Sequence, residues 1–525
     1  MKRILLVLFA ISLLVRALTA WTLDHPGYFD AFYYYHLAQN MADGQGLTEN
    51  LVWNYLDDPT TLPRPGAQYW MPLAAFWGWL GIVTFRFLEP WRAAQIPYVI
   101  LSALLPTLSA WIAWRSWGKR SWAVASGLLT LFSGFYFVYW VVPDNFLPFA
   151  LTTALCFLGL GKATDPTSTH PLRYWFIAGI GAGMSHLSRI DGSLLVLLVA
   201  GFWLFRKQRY FREGAAAALG YLLVMAPWFL RNYLVVGTLF PGGGLQTLWL
   251  TNYSELFAYE TNLTVARYLE WGIGNILNSK LQSAWTCTLI ILGATLFYMA
   301  PLVLVALRKA YSMPLFRPVL WYSVMLLTLM PLVFTFPATR GSLFHSSAAL
   351  MAWYMAMVPY GLARVVQFIA ARRSTWNVVQ ATQVLGTGFI ILAIGITIRI
   401  YAGTVWLPPP PGAALARWNE RTDPYGEVGE WLNANADPAA ILFVGEPPLY
   451  TVVTGKPSLG IPSDGVAPLT RAAQAWEANY FLLDYDNSRS YRTMYDEQQG
   501  EGDWEFVTTF TDGLNKPMVL FRYAP

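Results

Sequence analysis

Residues 28–46 read YFDAFYYYHLAQNMADGQG, an aromatic and polar stretch that follows the first apolar segment of the chain, residues 4–21. That segment is long enough to cross a membrane, so the carboxylate of Asp30 is expected close to a membrane surface. A carboxylate among apolar rings is partly desolvated, which raises its pKa and makes it a better base. A simpler interpretation is that Asp30 only caps a helix over residues 31–42, because Asp is a favourable N-cap residue.

The rings that follow Asp30 are candidates for contact with a substrate. Tyr33, Tyr34 and His36 present aromatic faces beside the acid. Aromatic side chains with a polar tip suit a membrane interface, where one end is apolar and the other wet. We therefore expect these three residues to bind a sugar or an isoprenoid chain.

The composition is that of a membrane protein with many spans. Apolar residues make up 55% of the chain, charged residues 12%, and the mean hydropathy is +0.39. Soluble proteins carry about 25% charged residues. The basic residues behind the net charge of +5 lie in short clusters between apolar segments, so no nucleic-acid partner is expected. Cys156 and Cys287 fall inside apolar runs and predict neither a disulfide nor a metal site.

Eleven apolar segments are long enough to cross a hydrocarbon core of roughly 30 Å. They are residues 4–21, 94–114, 121–140, 145–161, 173–188, 191–206, 213–230, 284–307, 318–336, 344–363 and 378–400. Residues 69–90 are also apolar, but Pro72 and Gly78 interrupt them, and they predict helices that lie along the membrane surface.

The distribution of basic residues predicts the orientation of the spans. With eleven spans and a cytoplasmic N-terminus, the connections that carry the basic clusters are cytoplasmic. Those clusters contain Arg115, Lys119, Arg120, Lys162, Arg173, Arg206, Lys207, Arg209, Arg212, Arg308, Lys309, Arg317, Arg364, Arg372 and Arg373. The outer side then holds two long loops, residues 22–93 and 231–283. Residues 1–20 also resemble a cleavable signal sequence, although Arg16 interrupts the apolar run and favours a retained helix.

The chain changes character after residue 404. Residues 408–412 are four prolines and a glycine, which predict a stiff linker. Beyond it, strand-like runs at 441–444, 480–483, 506–507 and 518–521 alternate with helical stretches at 413–435, 466–478 and 488–498. The sequence thus predicts a membrane domain over residues 1–404 and a small α/β domain on the outer side over residues 405–525.

A second acid, Asp144, lies in a predicted outer turn between two nearly uncharged spans. It could be merely solvated there, or cap the helix that starts at Asn145. The functional alternative is that Asp30 and Asp144 face one cavity, where they would orient an acceptor hydroxyl or hold a divalent cation such as Mg²⁺ or Mn²⁺. The sequence does not establish a cofactor.

Basic residues recur at the predicted outer ends of the spans. A charged side chain at such a depth is costly and predicts a partner, for which a lipid phosphate is suited because guanidinium binds it bidentately. The alternatives are snorkelling to headgroups or pairing with Asp191 or Glu255. The residues concerned are Arg16, Arg189, Arg231 and Arg340, with His186 and His345 nearby.

Several short motifs together resemble the bacterial GT-C glycosyltransferases, a superfamily that includes protein mannosyltransferases, the lipid A aminoarabinose transferase and oligosaccharyltransferase catalytic subunits. The resemblance covers residues 1 to about 400 and part of the outer domain. It rests on Asp30 with its Tyr-rich helix, Gly44-Gln45-Gly46, Asp144-Asn145, Ser188 to Gly192, Ala226 to Tyr233, Gly237 to Pro241, Trp431 to Asn435 and Gly445 to Tyr450.

The resemblance implies a sugar donor carried on polyprenyl phosphate and an inverting single displacement at the outer face of the membrane. By position, Asp30 would be the base and Asp144 the acid of the second outer loop. Many members carry two adjacent acids in the first loop, whereas Ala31 follows Asp30 here, so the resemblance does not decide whether a metal binds. The chain also lacks a Trp-Trp-Asp motif, which argues against transfer to asparagine.

The sequence therefore predicts a multi-pass, mannosyltransferase-like glycosyltransferase of the plasma (inner) membrane that acts in the cell envelope. It would transfer a hexose or pentose from polyprenyl phosphate to a protein, lipid or glycan acceptor. Two alternatives are a transporter or flippase of lipid-linked saccharide and a non-catalytic relative that binds cell-envelope glycan. Transporters place ionisable groups near the bilayer midplane and often contain repeats, whereas the acids here lie at the predicted outer rim.

Overall fold

The computed structural model describes residues 1–206, 208–373 and 375–525, so Lys207, one of the predicted cytoplasmic basic residues, lies outside the described residues. Helices dominate the first 405 residues, and a mixed sheet follows. The α-helices of five or more residues span Lys2–Trp21, Phe29–Ala42, Leu73–Thr84, Pro90–Ser102, Leu104–Trp117, Arg120–Leu131, Phe146–Ala163, Pro171–Ser188, Leu194–Leu204, Phe211–Val236, Val265–Glu270, Ile273–Ala294, Ala300–Tyr311, Arg317–Val333, Leu343–Ser347, Met351–Ala370, Val378–Val405, Asp423–Asn435, Pro447–Thr454, Val466–Trp476 and Arg492–Glu497.

Within the described ranges, six helical segments are long and apolar enough to cross a membrane, and a bent pair makes a seventh. All seven coincide with spans predicted from the sequence. They are Lys2–Trp21, Pro90–Trp117, Phe146–Ala163, Phe211–Val236, Thr335–Ala370, Val378–Val405 and the pair Arg120–Leu131 with Gly134–Val141, which is bent by 58°.

The other four predicted spans are helical but differ in length or continuity. Ile190–Leu204 and Arg317–Val333 are shorter apolar helices. Residues 284–307 are divided between Ile273–Ala294 and Ala300–Tyr311, because Leu296 and Phe297 take positive φ angles of 52° and 59° that a right-handed helix cannot contain. The number of spans therefore remains a prediction.

The fourth of these helices, Pro171–Ser188, owes its position to small residues. It packs between Phe146–Ala163 and Phe211–Val236. A Cβ atom at Gly179 would lie 2.0 Å from the carbonyl oxygen of Ala217, and one at Gly181 would lie 2.4 Å from the backbone nitrogen of Cys156. Small residues allow such close backbone approach between membrane helices. They also lower the mean hydropathy of the helix that contains them.

Arg16 has a structural partner rather than a lipid. Its side chain is fully buried, and its guanidinium donates to the carbonyl oxygens of Phe137 at 3.0 Å and Leu131 at 3.2 Å. Those carbonyls belong to the bend between Arg120–Leu131 and Gly134–Val141, where helix hydrogen bonds are interrupted. The arginine satisfies them inside the apolar layer, so the prediction of a phosphate partner for Arg16 is wrong.

The C-terminal region forms a six-stranded mixed sheet. The first four strands in its order are parallel, and the last two are antiparallel. Their order across the sheet is Leu51–Val52, Ser458–Gly460, Leu442–Val444, Tyr480–Leu483, Pro517–Tyr523 and Trp504–Thr511. Helices cover this sheet, as expected for parallel strands buried on both faces.

The sheet differs from the prediction at its first edge. Leu51–Val52 comes from the first outer loop and pairs in parallel with Ser458–Gly460, a strand that the sequence analysis did not identify. The predicted helix over residues 413–435 is also shorter and starts at Asp423. The first outer loop is thus joined to the C-terminal region through one sheet.

The helix Phe29–Ala42, called the outer helix below, lies between the membrane helices and the sheet region. Phe32 packs into the hydrophobic core formed by Tyr425, Leu449 and neighbouring residues of the C-terminal region. Tyr35 packs instead with the first membrane helix and its neighbours. Residues 31–38 of this helix are all buried, and this burial fixes the position of its first turn.

Candidate active site

Asp144 lies in the turn that precedes the helix Phe146–Ala163 and is completely buried. The hydroxyl group of Tyr28 and the backbone N–H of Asn145 both donate hydrogen bonds to its carboxylate. A buried carboxylate needs such donors. Asp144 is therefore not the solvated turn residue of the simpler interpretation.

Asp30 lies in the first turn of the outer helix, and its side chain is 24% exposed. The helix begins at Phe29 with Tyr28 as its N-cap, and no side chain caps it. The interpretation of Asp30 as the N-cap is therefore wrong. Burial, and then the nearby carboxylate of Asp144, raise the pKa of Asp30 to about 6.

His345 joins the two acids. Its Nε2 atom lies 3.2 Å from Oδ2 of Asp144 and 3.4 Å from Oδ2 of Asp30. Its Nδ1 atom lies 2.9 Å from the carbonyl oxygen of Gly341, which can only accept, so Nδ1 carries the proton. The ring also stacks on Phe146 with centroids 3.9 Å apart. These contacts fix the imidazole with Nε2 directed at both carboxylates.

The position of His345 depends on an interruption in its helix. Residues Ala338–Ser342 form a π-type turn in which Arg340 and Gly341 leave helical geometry, and Gly341 has a φ of 121°. Only glycine takes that angle readily. π-type turns within helices are frequent at functional sites, and this one brings the carbonyl of Gly341 to the imidazole.

Ligand atoms of Asp30, Asp144 and His345 all lie within 4.8 Å of one another. In a neutral ring with Nδ1 protonated, Nε2 presents a lone pair, so three acceptor groups converge on one point. Either a proton on Nε2 or a cation relieves their repulsion. The donor set of two oxygens and one imidazole nitrogen suits Mn²⁺ or Zn²⁺ better than Mg²⁺, which prefers oxygen ligands.

Arg189 lies beside this cluster and is held on several sides. Its guanidinium donates to Asp191 at 2.9 Å, to Asn145 at 3.2 Å and to the Ser342 hydroxyl at 3.0 Å. The positive charge of Arg189 also favours the charged form of Asp30, although this effect is smaller than those of burial and Asp144. Arg189 thus pairs with Asp191, the alternative to a phosphate partner, and its role in substrate binding stays a prediction.

The other two predicted phosphate-binding arginines differ from each other. Arg231 donates to the carbonyl oxygens of Leu47 at 3.3 Å and Gly66 at 3.1 Å, so it fastens its helix to the first outer loop. Arg340 is exposed, and its guanidinium lies 5.5 Å above the ring of Tyr253. Among described residues it has no hydrogen-bond or ion-pair partner, so Arg340 is available to a ligand.

The three aromatic residues of the outer helix that were predicted to bind substrate have different partners. Tyr34 lies near the acids, and its hydroxyl accepts from the Asn145 side chain at 3.1 Å. Tyr33 donates to Glu49 at 2.5 Å. His36 accepts from the backbone N–H of Asn50 at 3.2 Å, and burial lowers the pKa of His36 to about 4. Tyr33 and His36 thus shape the first outer loop and lie outside the cluster of acids.

Several residues near the site were not identified from the sequence as functional. Tyr28 and Phe146 contact the cluster directly, and Ser346 hydrogen-bonds to Asp191. Tyr28 and Phe146 are neighbours of the acids in the sequence, which is the only signal that could have indicated them. His186 bonds to the hydroxyl of Tyr221 at 2.7 Å and takes no part in the cluster.

An apolar cavity of about 600 Å³ lies beside the interrupted helix. Its lining includes Tyr139, Gly293, Gly341, Phe344 and Ile400, of which Gly341 and Phe344 lie next to His345. Its lining is mostly apolar. A chain of apolar carbon could therefore lie in this cavity and reach the cluster of Asp30, Asp144 and His345.

No family model and no curated protein matches the chain. Several solved structures share its fold, among them the following two. The oligosaccharyltransferase of Archaeoglobus fulgidus, crystallised with Zn and sulfate, aligns at a TM-score of 0.59 and 13% identity over 97% of this chain and 72% of that one. ArnT of Cupriavidus metallidurans in the apo state aligns at 0.55 and 13% identity over 98% of this chain and 97% of that one. The protein is thus a multi-pass membrane protein with the fold of the GT-C glycosyltransferases.

Proposed function

We propose that this protein is a membrane glycosyltransferase that moves a hexose or pentose from a polyprenyl-phosphate donor to an acceptor hydroxyl at the outer face of the plasma membrane. The observation that carries the proposal is the partly exposed carboxylate of Asp30, held beside Asp144 and His345. The fold shared with the archaeal oligosaccharyltransferase and with ArnT supports it. The N-terminus would be cytoplasmic and the C-terminal domain extracytoplasmic.

A lipid-linked donor is supported by the surroundings of the cluster. Gly341 and Phe344 line the apolar cavity, and both lie next to His345. Arg340 precedes Gly341 and is exposed, with its guanidinium above the ring of Tyr253. A donor with its isoprenoid chain in the cavity and its phosphate at Arg340 would present its sugar near Asp30.

The reaction would be a single displacement with inversion. The oxygen of the acceptor hydroxyl attacks the anomeric carbon of the sugar and forms the new glycosidic bond. The bond from that carbon to the phosphate oxygen breaks, and its electron pair remains on the leaving phosphate. Asp30 takes the proton of the acceptor hydroxyl. With a pKa of about 6, Asp30 is mostly ionised at neutral pH. This pKa is also close enough to neutral pH for the carboxylate to act as a general base.

The leaving phosphate gains negative charge and needs a cation more than it needs an acid. Arg340 is suited to that role because its donors have no partner among the described residues and can bind a phosphate bidentately. Arg189 already donates to Asp191 and Asn145. It would hold the outer turns in position and favour the ionised form of Asp30.

Asp30, Asp144 and His345 would be the residues that hold a divalent cation. The geometry fits one, because the proton on Nδ1 of His345 leaves the Nε2 lone pair directed at the carboxylates, and metal-bound histidines commonly donate their second N–H to a backbone carbonyl in this way. A bound cation would supply positive charge to the donor phosphate. Asp144 and His345 keep Asp30 in place whether or not a cation is bound.

The proposal is tested with the purified full-length protein in lipid nanodiscs. Polyprenyl phosphates that carry different hexoses and pentoses are supplied with hydroxyl acceptors of the protein, lipid and glycan classes. We expect transfer from at least one donor, with inversion at the anomeric carbon. Retention would contradict the single displacement. Donor binding without transfer would support a non-catalytic glycan-binding role, and movement of intact donor across vesicles would support a transporter.

A further inference from the structure

A continuous wall of aromatic rings runs from the first turn of the outer helix to Arg340. Trp53 and Trp70 stack with centroids 4.5 Å apart, and Phe29 packs edge-on against both, at 5.8 and 5.7 Å. Phe29 directly precedes Asp30 in the chain. These rings therefore begin the wall beside the proposed base.

The wall continues through two different loops. Tyr69 packs edge-on against Trp53 at 4.9 Å, and Phe257 lies 6.2 Å from Trp53. Tyr253 lies 5.9 Å from Phe257, and Arg340 lies above the ring of Tyr253. We call Phe29, Trp53, Tyr69, Trp70, Tyr253 and Phe257 the aromatic wall.

Two hydroxyl groups on the aromatic wall have no hydrogen-bond partner among the described residues. They belong to Tyr69 and Tyr253, whose side chains are both half-buried. Tyr28 and Tyr34, which also lie near the acids, use their hydroxyls: Tyr28 donates to Asp144, and Tyr34 accepts from Asn145. Packing holds the rings of Tyr69 and Tyr253 while their polar ends remain available, which suits a ligand and not a structural contact.

The negative charge of Asp30 acts on both hydroxyls. Burial raises the pKa of Tyr253 to about 12, and the carboxylate of Asp30 is the next cause. Burial also raises the pKa of Tyr69, with a smaller contribution from Asp30. Both phenols are therefore neutral at physiological pH and can donate hydrogen bonds. The charges of Arg340 and Asp30 both act on Tyr253, and the sugar of a donor whose phosphate is held by Arg340 would lie against the wall.

The chemistry of the wall fits a sugar better than an isoprenoid chain. Sugar rings combine apolar C–H faces, which pack on aromatic rings, with hydroxyls that accept hydrogen bonds from phenols. An isoprenoid chain would leave both phenols unpaired, at a cost in affinity. The apolar cavity lined by Gly341 and Phe344 suits the chain instead.

We propose that the aromatic wall binds the transferred sugar of the donor, with the hydroxyls of Tyr69 and Tyr253 donating to the sugar. This inference rests on the proposed function, because it assumes that the donor is a polyprenyl-phosphate sugar. It makes these two tyrosines determinants of which sugar the protein accepts.

The test compares donors that differ only in the sugar. Equilibrium binding of polyprenyl phosphate alone and of hexose- and pentose-linked polyprenyl phosphates is measured in nanodiscs for the wild type, Tyr69→Phe, Tyr253→Phe and the double variant. Phe keeps each ring in place, including the ring below Arg340. We expect each single variant to weaken binding of the preferred sugar-linked lipid about fivefold, the usual effect of one neutral hydrogen bond. Binding of polyprenyl phosphate alone should stay within about twofold of the wild type.

The control is Tyr233→Phe, because Tyr233 is 59% exposed on the helix Phe211–Val236 and lies outside the wall. If the Phe variants lose the same affinity for sugar-linked and for bare polyprenyl phosphate, or lose affinity for neither, the inference is overturned. A wild type that binds no sugar-linked lipid more tightly than the bare one would also overturn it. Sugar-dependent binding that weakens in both Phe variants, without transfer in the wild type, would support the wall and reject the proposed function.

Discussion

His345 and Asp144 are 201 residues apart in the chain, and Nε2 of the one lies 3.2 Å from Oδ2 of the other. Asp30, from a third part of the sequence, lies 3.4 Å from the same nitrogen. The cluster therefore forms only when the first outer loop, the turn before Phe146 and the interrupted helix come together. Its properties can be tested one residue at a time.

Replacing His345 with Ala should weaken binding of Mn²⁺, because it removes the only nitrogen among the three ligand groups. We expect the affinity for Mn²⁺, measured by electron paramagnetic resonance, to fall at least tenfold, a typical loss for a metal ligand or its support. His170→Ala is the control, since His170 is exposed at the start of the helix Pro171–Ser188. If both variants bind Mn²⁺ as the wild type does, the nitrogen of His345 is not a ligand.

The two outer arginines should respond differently to replacement by Leu. Arg340→Leu should weaken donor binding about tenfold or more, the loss expected for a charge-assisted contact with phosphate, and should leave thermal unfolding unchanged. Arg340→Lys should restore only part of the affinity, because Lys lacks the planar fork.

Arg231→Leu should instead lower the unfolding temperature, because the carbonyls of Leu47 and Gly66 lose their donor. The expected loss of stability is about 1.5–3 kcal/mol, the range for hydrogen bonds to a charged group. Donor affinity measured on the folded fraction should stay close to that of the wild type. The opposite pattern, with Arg231 controlling donor binding and Arg340 controlling stability, would contradict these assignments.

The pH dependence of transfer should report the titration of Asp30. A base must be ionised to accept a proton, so without a bound cation kcat/KM should be constant above the pKa of about 6 and fall with decreasing pH below it. A bound cation favours the carboxylate, so removing it with EDTA should move the acidic limb to higher pH, and adding Mn²⁺ should move it back. An acidic limb that also persists in Asp30→Asn would assign the titration to another group.

Cysteine labelling tests the membrane orientation. Both native cysteines, Cys156 and Cys287, are buried and should give little background. Single cysteines at the exposed positions Lys119 and Asn433 should be labelled from the cytoplasmic and the outer side, respectively. Labelling of position 119 from outside would reverse the predicted orientation and remove the acids from the outer face.

The membrane part of the fold was largely predictable from the sequence, because apolar segments of sufficient length can form only helices in a bilayer. Breaks within such segments were not predictable. The division of residues 284–307 depends on positive φ angles at Leu296 and Phe297, which nothing in these apolar residues indicates. The strand Leu51–Val52 is too short for a residue pattern to reveal it.

The site was predictable only in part. Asp30 and Asp144 were identified because acids at the ends of apolar segments are conspicuous, and the structure brings them together through His345. The exact role of each basic residue depends on backbone geometry that the sequence does not indicate. Arg231 meets two backbone carbonyls, whereas Arg340 leaves the helix at the π-type turn and stays free of polar partners among the described residues.

The most direct test of the central claim is the rate of sugar transfer by Asp30→Asn. Asn keeps the size of the side chain but cannot accept a proton, so we expect normal folding and, at saturating donor and Mn²⁺, a rate lower by roughly 10²–10⁴-fold. The matched control is Asp43→Asn, because Asp43 is exposed at the other end of the outer helix. That variant should transfer sugar at the wild-type rate. If Asp30→Asn also transfers sugar at close to the wild-type rate, Asp30 is not the base and the proposed mechanism is wrong.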